Sequence, residues 1–115
     1  MSSPESDPPI ACQLKALDPT QRQRQKELLA LVRGKIRQVV ELDDGFALEV
    51  PSDSASFMEV AEWVDLERRC CAFAEFAIES RRDGGVWVRL TGVAGAKEVL
   101  AAEMGLTPGE PSRAG

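Results

Sequence analysis

Val40-Glu41-Leu42-Asp43-Asp44-Gly45-Phe46-Ala47-Leu48-Glu49-Val50-Pro51 is the stretch that decides the fold. Val40 and Leu42 alternate with polar neighbours, Asp43-Asp44-Gly45 supplies a turn, and Phe46, Leu48 and Val50 alternate beyond it. A period of two on both sides of a turn is the pattern of a β-hairpin. Pro51 ends the second strand, because proline cannot donate to a ladder. The same pattern returns downstream. Phe76 and Ile78 precede Arg-Arg-Asp-Gly-Gly, and Val86, Val88 and Leu90 follow it.

Helical periods flank these hairpins. Asp18 is a good N-cap, Pro19 suits the first helical position and Gln21 completes a capping box. The helix that follows carries Leu28, Leu29, Leu31, Val32 and Ile36 as its apolar side, with Gly34 blurring its end. Ser52-Asp53-Ser54 caps a second helix over about 54–71, with Phe57, Val60, Ala61, Val64 and Leu66 apolar. Gly92 and Gly95 frame a tight loop into a last helix over about 95–104, with Val99, Leu100 and Met104 apolar. The order is α-β-β-α-β-β-α. Two hairpins separated by a helix predict a two-layer α+β domain, a four-stranded antiparallel sheet with helices on one face.

The chain has 115 residues, enough for one domain with a real core and too few for two. Residues 1–10, rich in proline and without an apolar pattern, are expected to form a disordered tail, as are residues 107–115. Residues 11–106 make the single domain. A net charge of −5 speaks against bulk attraction to nucleic acid or anionic lipid. No long apolar run predicts a membrane span, and the N-terminal stretch lacks the basic and apolar regions of a secretory signal, so a cytoplasmic location is the default.

Three cysteines, Cys12, Cys70 and Cys71, are an odd number, and two are adjacent, which is no secreted disulfide framework. In a reducing compartment they are thiols, so metal binding or redox chemistry is favoured over bridging. The chain contains neither histidine nor tyrosine. That excludes, within this chain, a Ser-His-Asp triad, a Cys-His pair and any histidine metal ligand.

Glu67-Arg68-Arg69-Cys70-Cys71 is therefore the candidate functional centre. On a helix, residues three and four apart share a face, so Glu67 faces both thiols. It also continues the apolar row Phe57, Val60, Val64, where a carboxylate is costly without a partner. Arg68 and Arg69 are candidates for that partner. Adjacent thiols suit a soft thiophilic ion: zinc, copper(I), mercury(II) or arsenic(III). The third sulfur would be Cys12, on the apolar scrap Ile10-Ala11-Cys12-Gln13-Leu14, if that scrap docks beside the end of the second helix. A helix C-terminus disfavours a thiolate, which favours bound cation over free nucleophile. The alternatives are cysteines acting only as small hydrophobes and a reversible vicinal disulfide, strained on a helix.

Glu-Arg-Arg-Cys-Cys-Ala-Phe-Ala-Glu-Phe resembles the central motif of a group of small, mostly uncharacterised bacterial proteins. Similar segments are appended to DNA-binding domains of the mercury-resistance-regulator type. The likeness extends to Ala-Cys-Gln-Leu near the start, Asp-Gly-Phe-Ala-Leu in the first hairpin and Leu-Thr-Gly-Val-Ala-Gly-Ala-Lys after the second. It implies a heavy-metal context and a metal or thiol site at Cys12, Glu67, Cys70 and Cys71. Ala72 departs from the proline expected after the paired cysteines, which loosens the helix stop and spares the ligands.

Other features read as structure. Thr91-Gly92-Val93-Ala94-Gly95-Ala96-Lys97 lacks the spacing and ending of a P-loop. Arg22, Arg24 and Lys26 are interleaved by glutamine without aromatics, which describes a solvated face, and no helix-turn-helix pair is present. Trp63 and Trp87 are expected in the core, with Trp63, offset from the apolar row, alternatively flanking Glu67 or an interface. The leading function is binding of a soft metal or metalloid in sensing, buffering or delivery, with no direct nucleic-acid or membrane partner. A second copy of the chain or a regulator protein is the implied macromolecular partner. A thiol-dependent redox enzyme with Glu67 as proton carrier is the second reading. A non-catalytic interaction or dimerisation module with structural cysteines is the third.

Overall fold

The protein is described here from a computed structural model, which defines residues 13–106. The tails expected over 1–10 and 107–115, and Cys12, lie outside the described residues. A single 3-10 turn, Leu14–Ala16, leads into α1 (Pro19–Lys35). The first hairpin is β1 (Gln38–Leu42) and β2 (Gly45–Val50). Then come α2 (Ser54–Cys70), the hairpin β3 (Ala74–Ser80) and β4 (Val86–Gly92), and α3 (Ala96–Met104). This is the expected α-β-β-α-β-β-α order of an α+β domain, with the strands in one antiparallel sheet ordered β1-β2-β4-β3.

The caps form as the sequence dictates. The Asp18 side chain accepts from the Gln21 N–H at 2.8 Å, and Gln21 Oε1 accepts from the Asp18 N–H at 3.0 Å, closing a capping box with Pro19 just inside. Asp53 caps α2 by accepting from the Ser56 N–H. Gly34 is tolerated within α1 rather than ending it.

The first hairpin corrects one expectation. Its two-residue turn, Asp43-Asp44, pairs Leu42 with Gly45, so Glu41 stands opposite Phe46 and Val39 opposite Leu48. Directly paired residues share a face. Val39 and Glu41 therefore line the core side, while Val40 shares the outer face with Ala47 and Arg89. Period two makes a one-residue offset a complete inversion of faces. Glu41 is accommodated because Lys97 of α3 pairs with its carboxylate and also lies over the Phe46 ring, 5.8 Å from its centroid. Gly45 permits the hairpin to close. A Cβ there would lie 1.8 Å from the Leu90 carbonyl oxygen on the neighbouring strand.

One core joins both layers: Leu28 and Val32 of α1, Val60, Trp63 and Leu66 of α2, Leu100 and Met104 of α3, and Phe46, Leu48, Val88 and Leu90 of the sheet. Leu31, expected on the apolar side of α1, is exposed, since the buried stripe is the narrower Leu28–Val32 row. Helices α1 and α2 are also joined by Arg24, whose guanidinium donates to both Glu62 oxygens at 2.9 Å, and by Lys35, which reaches Glu59 and Ser56. No helix among the described residues is long and apolar enough to cross a membrane.

Candidate metal centre

The last two turns of α2 place Trp63, Glu67 and Cys70 on the buried face, with Cys71 as the C-cap residue. The spacing of four, three and one makes this a single stripe. Glu67, Cys70 and Cys71 are each no more than 2% exposed, so the carboxylate is as deeply placed as the thiols. Leaving the helical conformation at Cys71 turns its side chain back toward that of Cys70, and the two sulfurs lie 3.7 Å apart. The Cys71 sulfur is 3.5 Å from Glu67 Oε1. One ligand atom from each of the three residues lies within 4.8 Å of the others, a group able to hold a metal ion.

Two further side chains, both missed in the sequence, reach this group from other elements. Gln25 of α1 donates through Nε2 to Glu67 Oε2 at 2.9 Å and to the Cys70 sulfur at 3.0 Å. Glu103 of α3, half-buried, brings Oε2 to 3.6 Å from the Cys71 sulfur. A signal for both was present. Gln25 stands three and seven residues before Leu28 and Val32, on their stripe, and Glu103 stands three after Leu100. A polar residue on a buried stripe is the same sign that singled out Glu67.

Arg68 and Arg69 are not partners of Glu67. Both extend to the exposed side and bind the two oxygens of Asp65, at 2.8 and 3.0 Å. Their charge, with the hydrogen bond from Arg68 foremost, holds Asp65 below the usual carboxylate range. Burial pushes the Glu67 carboxyl up to about 9, with the hydrogen bond and charge of Glu103 and the charge of Cys70 acting in the same direction, against the Gln25 amide.

The helix end is secured by backbone donors. The Cys71 N–H donates to the Glu67 carbonyl at 2.7 Å, and the Ala74 N–H to the Cys71 carbonyl at 3.1 Å. The Gln13 N–H donates to the Cys70 carbonyl at 2.7 Å. The chain at Gln13 thus docks at the end of α2, while Ile10, Ala11 and Cys12 of the apolar scrap lie outside the described residues.

Trp63 is in the core, edge-on to Phe76 with ring centroids 6.4 Å apart. Its Nε1 has no hydrogen-bond partner among the described residues. Comparison with known proteins returns no match among family models, curated proteins or solved structures. The chemistry of the centre must be judged from its geometry.

Proposed function

We propose that this protein binds a soft, thiophilic metal or metalloid ion at Glu67, Cys70 and Cys71, and serves to sense, buffer or deliver it. The observation that carries this reading is the 3.7 Å separation of two buried sulfurs with a carboxyl oxygen 3.5 Å from one of them. Cysteines that merely fill a core have no need of a carboxylate in contact, and burying one is costly. Gln25 fixes the rotamers of Glu67 and Cys70 together, which is how ligand groups are held ready for an ion. Zinc, copper(I), mercury(II) and arsenic(III) are the candidate ions. Cys12, one residue before Gln13, is the candidate for a remaining donor. The heavy-metal context implied by the motif agrees with a cytoplasmic role beside a regulator protein.

Titration of the reduced protein with zinc, mercury(II) or arsenite tests this. Stoichiometric binding lost in the Cys70→Ser and Cys71→Ser variants is expected. Undiminished binding in the double variant would sink the proposal. A thiol-redox enzyme is the second reading, favoured by the Cys71–Glu67 contact, since a raised carboxyl can carry a proton. Against it, both sulfurs are within 1% of complete burial, and thiol exchange requires access to the attacked sulfur.

A further inference from the structure

We infer that Glu103 of α3 supplies the fourth donor of a tetrahedral two-sulfur, two-oxygen site with Cys70, Cys71 and Glu67, fitted to a divalent ion of the zinc and cadmium class. This rests on the ion-binding reading above. The distances make the case. Two sulfurs on one tetrahedral ion, each bonded at about 2.3 Å, stand about 3.8 Å apart, and a sulfur and an oxygen bonded at about 2.1 Å stand about 3.6 Å apart. The observed separations are 3.7 Å for Cys70–Cys71, 3.5 Å for Cys71–Glu67 and 3.6 Å for Cys71–Glu103. These are the three edges of that tetrahedron that meet at Cys71; Glu67, Cys70 and Cys71 already lie within 4.8 Å of one another, and the Glu103 side chain would swing toward them to complete the remaining edges as the ion loads. A linear sulfur–metal–sulfur unit holds its sulfurs two bond lengths, about 4.6 Å, apart. The pair is therefore too close for linear two-coordination.

Charge and access agree. Two thiolates neutralise a divalent ion; each thiol releases its proton to solvent as its metal–sulfur bond forms, and the Glu67 carboxyl releases its own as its oxygen bonds the ion. A carboxylate at the rim then meets a metal centre instead of a second carboxyl. Glu103 is also the half-exposed member of the group, beside two sulfurs that water does not reach. It is the member an incoming ion meets first. Because it stands on α3 and the others on α2, the ion would tie together two helices that otherwise meet through the core.

The test is cadmium binding to the full chain under a phosphine reductant. Affinity is read by chelator competition, thiolate coordination by the ultraviolet charge-transfer band, and donor type by the cadmium-113 NMR shift. Glu103→Gln is expected to weaken binding by at least about ten- to a hundredfold, with the two-thiolate band retained and the metal-free helix content unchanged. Cys12→Ser is expected to bind like the parent, with a mixed sulfur–oxygen shift in both. Parent-like binding by Glu103→Gln, or a three-sulfur shift abolished by Cys12→Ser, would overturn this assignment and leave the ion-binding reading intact. Absence of cadmium binding by the unaltered protein would overturn both. Should Glu103→Gln not fold, Glu103→Asp, whose shortened side chain withdraws the carboxylate from the ion, replaces it, weakened cadmium binding supporting the assignment and parent-like binding refuting it.

Discussion

Glu67 combines two demands that a core normally keeps apart. It occupies a position as buried as Val60, yet it carries an ionisable group. Its folded-state value of about 9 against an ordinary 4.5 has a definite consequence for stability. Between those two values the folded chain holds a proton that the unfolded chain has lost, so stability is fully present below about 4.5, falls as pH rises and levels off beyond about 9. Replacing Glu67 by Gln keeps the shape and the amide contact with Gln25 while removing the titration. Urea unfolding at a series of pH values should show the parent losing stability from mildly acidic to alkaline conditions, and Glu67→Gln losing less over the same span. Parallel profiles would mean that Glu67 is ionised in the folded state.

At the scale of elements, α2 is positioned by its two ends. Asp53→Ala removes the N-cap acceptor of Ser56 and should cost about 1 kcal/mol in chemical denaturation, without altering the thiol site at the opposite end of the helix. In the sheet, Gly45→Ala forces a Cβ against the Leu90 carbonyl, where only backbone can yield. A loss of roughly 3 kcal/mol, the upper part of the overpacking range, is expected from the same measurement. Much of this architecture is legible in the chain, because caps and turns are local chemistry: Asp18 and Gln21 read as a capping box and form one. The face of β1 is not legible, since Val39 and Val40 are adjacent and equivalent in type, and only the length of the turn selects between them. Glu67 could be found because its partners are its own helix neighbours. Gln25 and Glu103 could not be attached to it, because they approach from 42 residues before Glu67 and 32 residues after Cys71. Arg68 and Arg69 misled for the opposite reason: Asp65 is three and four residues away on the same helix, closer than any buried partner.

For the molecule as a whole, the centre lies where all three helices meet: Gln25 from α1, Glu67 and the cysteines from α2, Glu103 from α3. An ion bound there is linked to folding. At a free concentration of about one hundred times its dissociation constant it should add about 2.7 kcal/mol to stability. For a domain of this size that raises the melting temperature by roughly 10 °C or more. Calorimetry with and without zinc or cadmium measures it, and an unchanged melting temperature at saturation would show that the ion binds the unfolded thiols equally well. Core truncation gives the comparison: Leu48→Ala, at a position with no solvent exposure, should lower stability by about 2–5 kcal/mol with or without the ion.

The placement of Trp63 gives the protein an optical reporter of its own. The indole is sealed in the core, four residues before Glu67 and seven before Cys70, so the three share one helical stripe whose successive members are about 6 Å apart at Cβ. The other tryptophan, Trp87, lies under the Arg81 guanidinium on the sheet. A Trp87→Phe variant leaves a single emitter beside the thiols. Its fluorescence should be blue-shifted by the apolar surroundings and extinguished by a heavy ion arriving at the cysteines, so loading can be followed in real time without a label.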